Sequence, residues 1–182
     1  MMSRASLIIV LCEDRLQEVV IRRFLRSRGV TSHRMIRAIP YRKGKGSGEQ
    51  FVREHYVNQL KAFRQRQAKT ILIVAIDADL ASVEQRNAQL DQECQQNGVD
   101  PRSKKEAIVH FIPKRHIETW LAYLDGKVVN EEDSYKTEYG FQGRESEAKR
   151  LIDQLCSASS DKPSSLVVAC EEWRTRGAGM LR

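Results

Sequence analysis

The chain holds little that could staple, punctuate or anchor it. Its four cysteines, Cys12, Cys94, Cys156 and Cys170, form no C-x-x-C pair. That spacing excludes a zinc ribbon, writes no disulfide framework, and leads us to expect four reduced thiols. Four prolines and ten glycines in 182 residues suit a compact globule, without internal repeat or low-complexity tract. The longest apolar runs, Leu7 to Cys12 and Ile71 to Ile76, fall far short of the roughly 20 residues that cross a bilayer. The opening "MMSRASLIIVLCEDR" meets acids early and lacks a small-residue cleavage site, so it does not read as a secretory signal. We therefore expect a cytoplasmic protein with no membrane partner.

Charge is what the chain has in quantity. Thirty-one Lys and Arg against 24 Asp and Glu give a net charge of +7, and the excess is clustered. One group is Arg22, Arg23, Arg26 and Arg28; a second lies in "HRMIRAIPYRKGKG"; a third runs from Lys61 to Lys69. Clustered cations suit a polyphosphate, because neutralising phosphates releases condensed counterions. Arg22 and Arg26 are candidate nucleic-acid contacts. So are Arg42, Lys43, Lys45 and Gly46 in "RKGKGSGE", where backbone N–H groups ahead of a helix can cradle an anion. The Walker A order is missing, and a solvated loop is the alternative.

Strand and helix signals alternate, which predicts an α/β fold with a mostly parallel four-stranded sheet flanked by helices. "SLIIVLC" reads as a strand, and "EDRLQEVVIRRFLRSRG" as a helix with Leu16, Val19, Val20, Phe24 and Leu25 inward. A weaker second strand falls within Val30 to Ile39, followed by a helix carrying Phe51, Val52, Tyr56, Leu60 and Phe63. "TILIVAI" reads as a central strand buried on both faces. "AIVHFIP" is the fourth strand, and "KRHIETWLAYLDG" a short helix behind it. Two more helices are expected, Arg144 to Cys156 and Pro163 to Arg176. Trp120 and Trp173 belong to the core, His33, His55 and His110 to structural roles, and His116 to the surface.

Two strand ends carry acids. Glu13 follows the first strand, and Asp77 and Asp79 follow the third, where ligands of a doubly wound sheet bind. Residues two apart in an extended segment project to the same side, so Asp77 and Asp79 should crowd each other. A hard divalent ion, Mg²⁺ or Mn²⁺, would reconcile them, with Glu13 completing the cluster and Glu118 as a further ligand. Asp77 could instead cap the next helix and Glu13 match a helix dipole. Glu84 and Arg86 could reach back to the acids, Arg86 to hold a scissile phosphate. Lys136 and Lys162 are candidate transition-state cations that spacing alone does not separate.

A glutamate after the first strand, "VLCEDRLQEVVIRRFL", and an Asp-x-Asp after the third, "VAIDADLASVEQR", resemble the Toprim domain of topoisomerases, bacterial-type primases and OLD-family nucleases. The likeness covers residues 6 to 125, within one expected domain of 1 to 182 whose helical extension spans 144 to 178. It departs at Asp14, where a glycine is usual. "GKGSGEQ", "IPKRHIETWLAYL" and "PSSLVVACEEW" resemble small stand-alone Toprim-like proteins. That resemblance implies a magnesium-dependent nuclease on DNA or RNA, with Glu13, Asp77 and Asp79 catalytic; Arg86 joins them on its position one to two turns beyond the D-x-D. It further implies pairing with an ABC-type ATPase in defence against phage. Within that resemblance we expect neither a topoisomerase, which needs a nucleophilic tyrosine on a separate large domain, nor a primase, which needs a zinc-binding or helicase-binding appendage. A non-catalytic nucleic-acid-binding or regulatory subunit of an ATPase complex is the competing class, and a receiver-like domain matches poorly.

Overall fold

A computed structural model describes residues 4–41, 46–141, 145–157 and 159–181. Four strands, β1 (Leu7–Leu11), β2 (Ile36–Ala38), β3 (Thr70–Ala75) and β4 (Ile108–Phe111), form one sheet in the order β2-β1-β3-β4. Every pairing is parallel, with Leu11 opposite Val74 and Ile73 opposite Val109. The expected fold class holds at this level. β2 is only three residues long, because Arg37 turns outward and a 3₁₀ turn at His33–Met35 takes up the preceding chain.

Alternation along the strands divides the core into two layers. Ile8, Val10, Ile71, Ile73, Val109 and Phe111 face α1 (Arg15–Ser27), α4 (Ile117–Leu124) and the later helices. Ile9, Leu11, Leu72, Val74 and Ile108 face α2 (Gly48–Gln65) and α3 (Val83–Gln96). Side chains that leave opposite faces of a strand explain why β3 is apolar at nearly every position and buried at all of them. Since α1 covers one face and α2 and α3 the other, the winding reverses between β1 and β3. That is the switch point of a doubly wound sheet, and Glu13 and Asp77 stand at its mouth.

Past α4 comes a one-turn helix, α5 (Lys136–Tyr139), whose Tyr139 is buried and donates its hydroxyl to Asp125 Oδ2 at 2.7 Å. Then come α6 (Glu145–Ile152), shorter than its sequence pattern suggested, and α7 (Ser164–Glu172), which with the turn that follows it spans the expected helix. α7 runs on into a π turn at Trp173–Gly177. Trp120 and Trp173 are core residues as expected. His110 is buried on β4 between three elements. Its Nδ1 faces Asn87 Oδ1 at 2.7 Å and its Nε2 faces the Tyr56 hydroxyl at 3.0 Å. Asn87 uses its amide N–H on Val83, so the proton sits on Nδ1 and Tyr56 donates to Nε2. Burial holds this imidazole well below its usual pKa, hence neutral.

The expectation of four reduced thiols is corrected. Cys156 and Cys170 are joined, with their Cα atoms 5.4 Å apart, while Cys12 and Cys94 are free and buried. The bonded pair lies 14 residues apart, one cysteine beyond α6 and the other within α7, and no spacing rule reveals it. Among the described residues no helix is long and apolar enough to cross a membrane. Closing a loop of this size stabilises by about 3 kcal/mol in the chain-entropy account. Reduction should therefore lower the unfolding midpoint measurably, and non-reducing peptide mapping should recover a Cys156–Cys170 linked pair. Four alkylatable thiols in the native chain would refute the bond.

Candidate functional site

The site begins where β1 runs into α1. Asp14 stands where the resemblance expected glycine, and it acts locally, its carboxylate capping α1 by accepting the Gln17 N–H at 2.9 Å. Capping fixes the turn that points Glu13 across to β3. Glu13 Oε1 accepts the backbone N–H of Asp77 at 2.6 Å, which ties the two strand ends together.

Gln17 was not singled out by sequence reasoning, yet it is fully buried here. Its Oε1 accepts the Glu13 N–H at 3.0 Å and its Nε2 donates to Asp77 Oδ1 at 2.9 Å. The same oxygen accepts the Ile117 N–H at 3.1 Å, from the first turn of α4. A polar residue one helical turn past Glu13 on a buried face was the only available signal. Two backbone bonds, Ala78 N–H to Pro113 O at 2.9 Å and Asp79 N–H to Arg115 O at 3.2 Å, pin the loop after β3 to the loop after β4. Asp79 and Arg115 both have left-handed backbone, φ 55° and 68°. For residues with a side chain such torsions are uncommon and cluster at functional sites.

His116 does not lie on the surface as expected. It is 7% exposed, because Asp77 and the α4 start fold over it. Its Nδ1 lies 3.4 Å from Asp77 Oδ2 and 3.5 Å from Asp79 Oδ1, and this buried atom has no hydrogen-bond partner. Asp77 and Asp79 therefore do converge, on either side of one imidazole nitrogen. Burial and the nearby Lys136 charge push the His116 pKa down, so a neutral ring faces the acids.

Glu118 is also buried, and its Oε2 has no partner. Desolvation raises its pKa. Asp77 is raised well above the usual carboxylate range, by burial first and then by the charges of Glu118 and Asp14. Glu13 is pushed up to about 9, by burial and then by Asp77. Among the described residues neither Glu13 nor Asp77 has a lysine or arginine in ion-pair contact. The Lys136 charge does act on Asp77, Glu118 and His116, which separates it from Lys162 as the cation near the site.

Arg86 reaches back as expected, but as a buried group. Its Nη2 is 3.5 Å from Asp79 Oδ2 and donates to Ala78 O at 3.3 Å, while Nη1 binds Glu49. Glu84 points to solvent from the first turn of α3. Of the basic candidates, Arg22 is held by Glu18 at 2.7 Å and the Ile36 carbonyl at 3.3 Å, and Arg26 lies 2.9 Å from His33. Arg42, Lys43 and Lys45 lie outside the described residues. Gly46 is described, with φ 74°. Gly48 presses on the site: a Cβ there would stand 2.6 Å from Glu13 Cβ and 2.8 Å from Glu13 O. The glycine-rich turn therefore ends against the first acid.

Every candidate ligand is a carboxylate, and oxygen donors suit a hard cation. The unpartnered Glu118 oxygen and the uncompensated Glu13–Asp77 pair fit one. Among the described residues, no three His, Cys, Asp or Glu side chains form a ready-made metal cage. Mg²⁺ does not require one, since it usually takes one or two carboxylates and keeps water elsewhere. Comparison with protein-family models, curated proteins and solved structures finds no match for this chain.

Two consequences are measurable. Glu13 keeps its proton to about pH 9 when folded, against 4.5 in the ordinary carboxyl. The folded state holds the extra proton across that window, so stability is full below it and falls as pH rises through it. Urea unfolding of metal-free protein should show that decline, and Glu13→Gln should flatten it; parallel slopes would contradict the assignment. Gly48→Ala should destabilise by about 1–3 kcal/mol through overpacking. An ordinary helical Gly→Ala change stabilises by up to about 1 kcal/mol, so the sign of the measured change decides.

Proposed function

We propose that the chain is a Mg²⁺- or Mn²⁺-dependent phosphodiesterase acting on DNA or RNA, with a Toprim-like site at the ends of β1 and β3. One observation carries the reading. Two acids from adjoining strand ends meet there, Asp77 buried and Glu13 partly buried, joined through the Asp77 N–H, and no lysine or arginine among the described residues neutralises them by contact. Ionising such a pair is unfavourable unless a cation arrives.

Glu13, Asp77 and Asp79 would hold the metal, with Glu118 as a further ligand. A bound divalent ion lowers the pKa of its water and offsets charge on the phosphorane. The protein's own groups do the rest. Gln17 and the Ile117 N–H keep Asp77 Oδ1 aimed. Arg86 is a positioning residue, locking Asp79 through its contacts with Glu49 and Ala78. Lys136, whose charge acts on Asp77 and Glu118, would be the cation to meet a phosphate oxygen. His116, neutral and between the two aspartates, can take or return a proton at Nδ1.

The lack of a preformed three-ligand cage among the described residues favours a second reading, a nucleic-acid-binding subunit that works with an ATPase partner. Cleavage separates the two. Supercoiled plasmid or structured RNA should be cut in Mg²⁺ or Mn²⁺ and spared in EDTA. Asp77→Asn should lose about 100-fold or more in rate, while Arg174→Ala, at an exposed ion pair that shares no residue with the site, keeps it. Binding without metal-dependent cutting, or an active Asp77→Asn, would leave the subunit reading in its place.

A further inference from the structure

The basic run from Lys61 to Lys69 plays no part in the acid site. It folds to the opposite end of the sheet, where α2 ends and β3 begins. At about 3.3 Å per strand residue, that end lies roughly 20 Å from Asp77. A cleft of about 640 Å³ opens there, with Arg64, Arg66, Lys69 and Lys105 on its walls and Phe63 and Met180 as apolar surface.

Its charge is unbalanced. Glu106 is the acid lining the cleft, and it is already spent. It accepts Arg64 Nε at 2.7 Å, Arg64 Nη2 at 3.1 Å and the Ser103 N–H at 2.7 Å. Arg64 also donates to the carbonyls of Asp100 and Pro101, so this wall is rigid. Among the described residues Arg66, Lys69 and Lys105 have no ion-pair partner. Arg66 is partly buried, and its Nη1 has no hydrogen-bond partner. Burial and the like charge of Arg37 both work against its ionised form. Basic residues at a helix C-terminus complement the macrodipole. That accounts for Arg64 and Arg66; it does not account for Lys69 ahead of β3 or Lys105 ahead of β4. A partly buried guanidinium whose Nη1 makes no hydrogen bond is relieved by an anion.

We propose that this cleft binds the phosphate of a nucleotide unit, through Arg66, Lys69 and Lys105, with Phe63 and Met180 against the base. Its volume lies within the range of small-ligand sites. The phosphate can come from a free nucleotide or from one nucleotide of a strand. The proposal is independent of the chemistry at the acids, since no residue is shared between the two ends.

Calorimetric titration of the full chain with pyrophosphate, ATP and a single-stranded oligonucleotide tests it. Pyrophosphate and ATP should bind, and Arg66→Gln and Lys105→Gln should each weaken that by about tenfold or more. Asp77→Asn should leave it unchanged even where cleavage is lost, so failure of one site is distinguishable from failure of the other. ATP binding more tightly than the oligonucleotide identifies a free nucleotide as the source; the reverse order, with ATP displacing the oligonucleotide, identifies a strand. Arg66→Gln removes a cation without an ion-pair partner, so its melting midpoint should hold or rise. Lys105 is exposed, and its variant tests the site even if the other misfolds. No binding by any of the three probes, or undiminished binding in both variants, would overturn the proposal.

Discussion

The hydrogen bond from the Asp77 N–H to the Glu13 carboxylate is the contact on which the site depends. It closes the gap between β1 and β3 where the winding of the sheet reverses, and it does so with an acid. An acid used this way is partly withdrawn from water, and once ionised it raises the cost of ionising the aspartate beside it. The neighbours follow from that constraint. Gln17 bonds both acids' residues, α4 directs its first N–H at Asp77, and Gly48 is small because Glu13 leaves no space for more.

The two ends of the sheet have opposite electrostatic character. At the carboxyl ends of the strands, Glu13 and Asp77 have no lysine or arginine in contact among the described residues; at the amino ends, cations are gathered around one acid already in use. The net charge of +7 conceals this division. Each end is uncomfortable alone, and each would be relieved by a ligand of the sign it lacks. Proteins hold such charge only where surrounding structure over-determines it. The bridge between Asp79 and Arg115 does so at one end, and the Arg64–Glu106 fork at the other.

The parts legible in the sequence were those governed by local periodicity. An unbroken apolar run, Ile71 to Ile76, identified β3, because only a strand covered on both faces tolerates it. Glu13, Asp77 and Asp79 were legible because acids directly after apolar strands fall at sheet ends. β2 was hard to place, since a three-residue edge strand alternates too briefly to show a period. His116 and Gln17 escaped for a different reason. Their burial depends on partners 39 and 60 positions away, which no window contains. The Cys156–Cys170 bond and the basic cleft likewise arise from chain segments that only the completed fold brings together.

The two faces of the sheet also close at different stages of synthesis. α2 and α3 are in place before β4 is made, so their face can be sealed as soon as Ile112 is available. The other face waits for α4, α6 and α7, and Arg23 meets Asp153 only across 130 residues. Until that last third emerges, Ile71, Ile73 and Phe111 have α1 alone above them. A nascent chain halted in that interval would present an apolar sheet surface to whatever holdase or neighbouring chain is near.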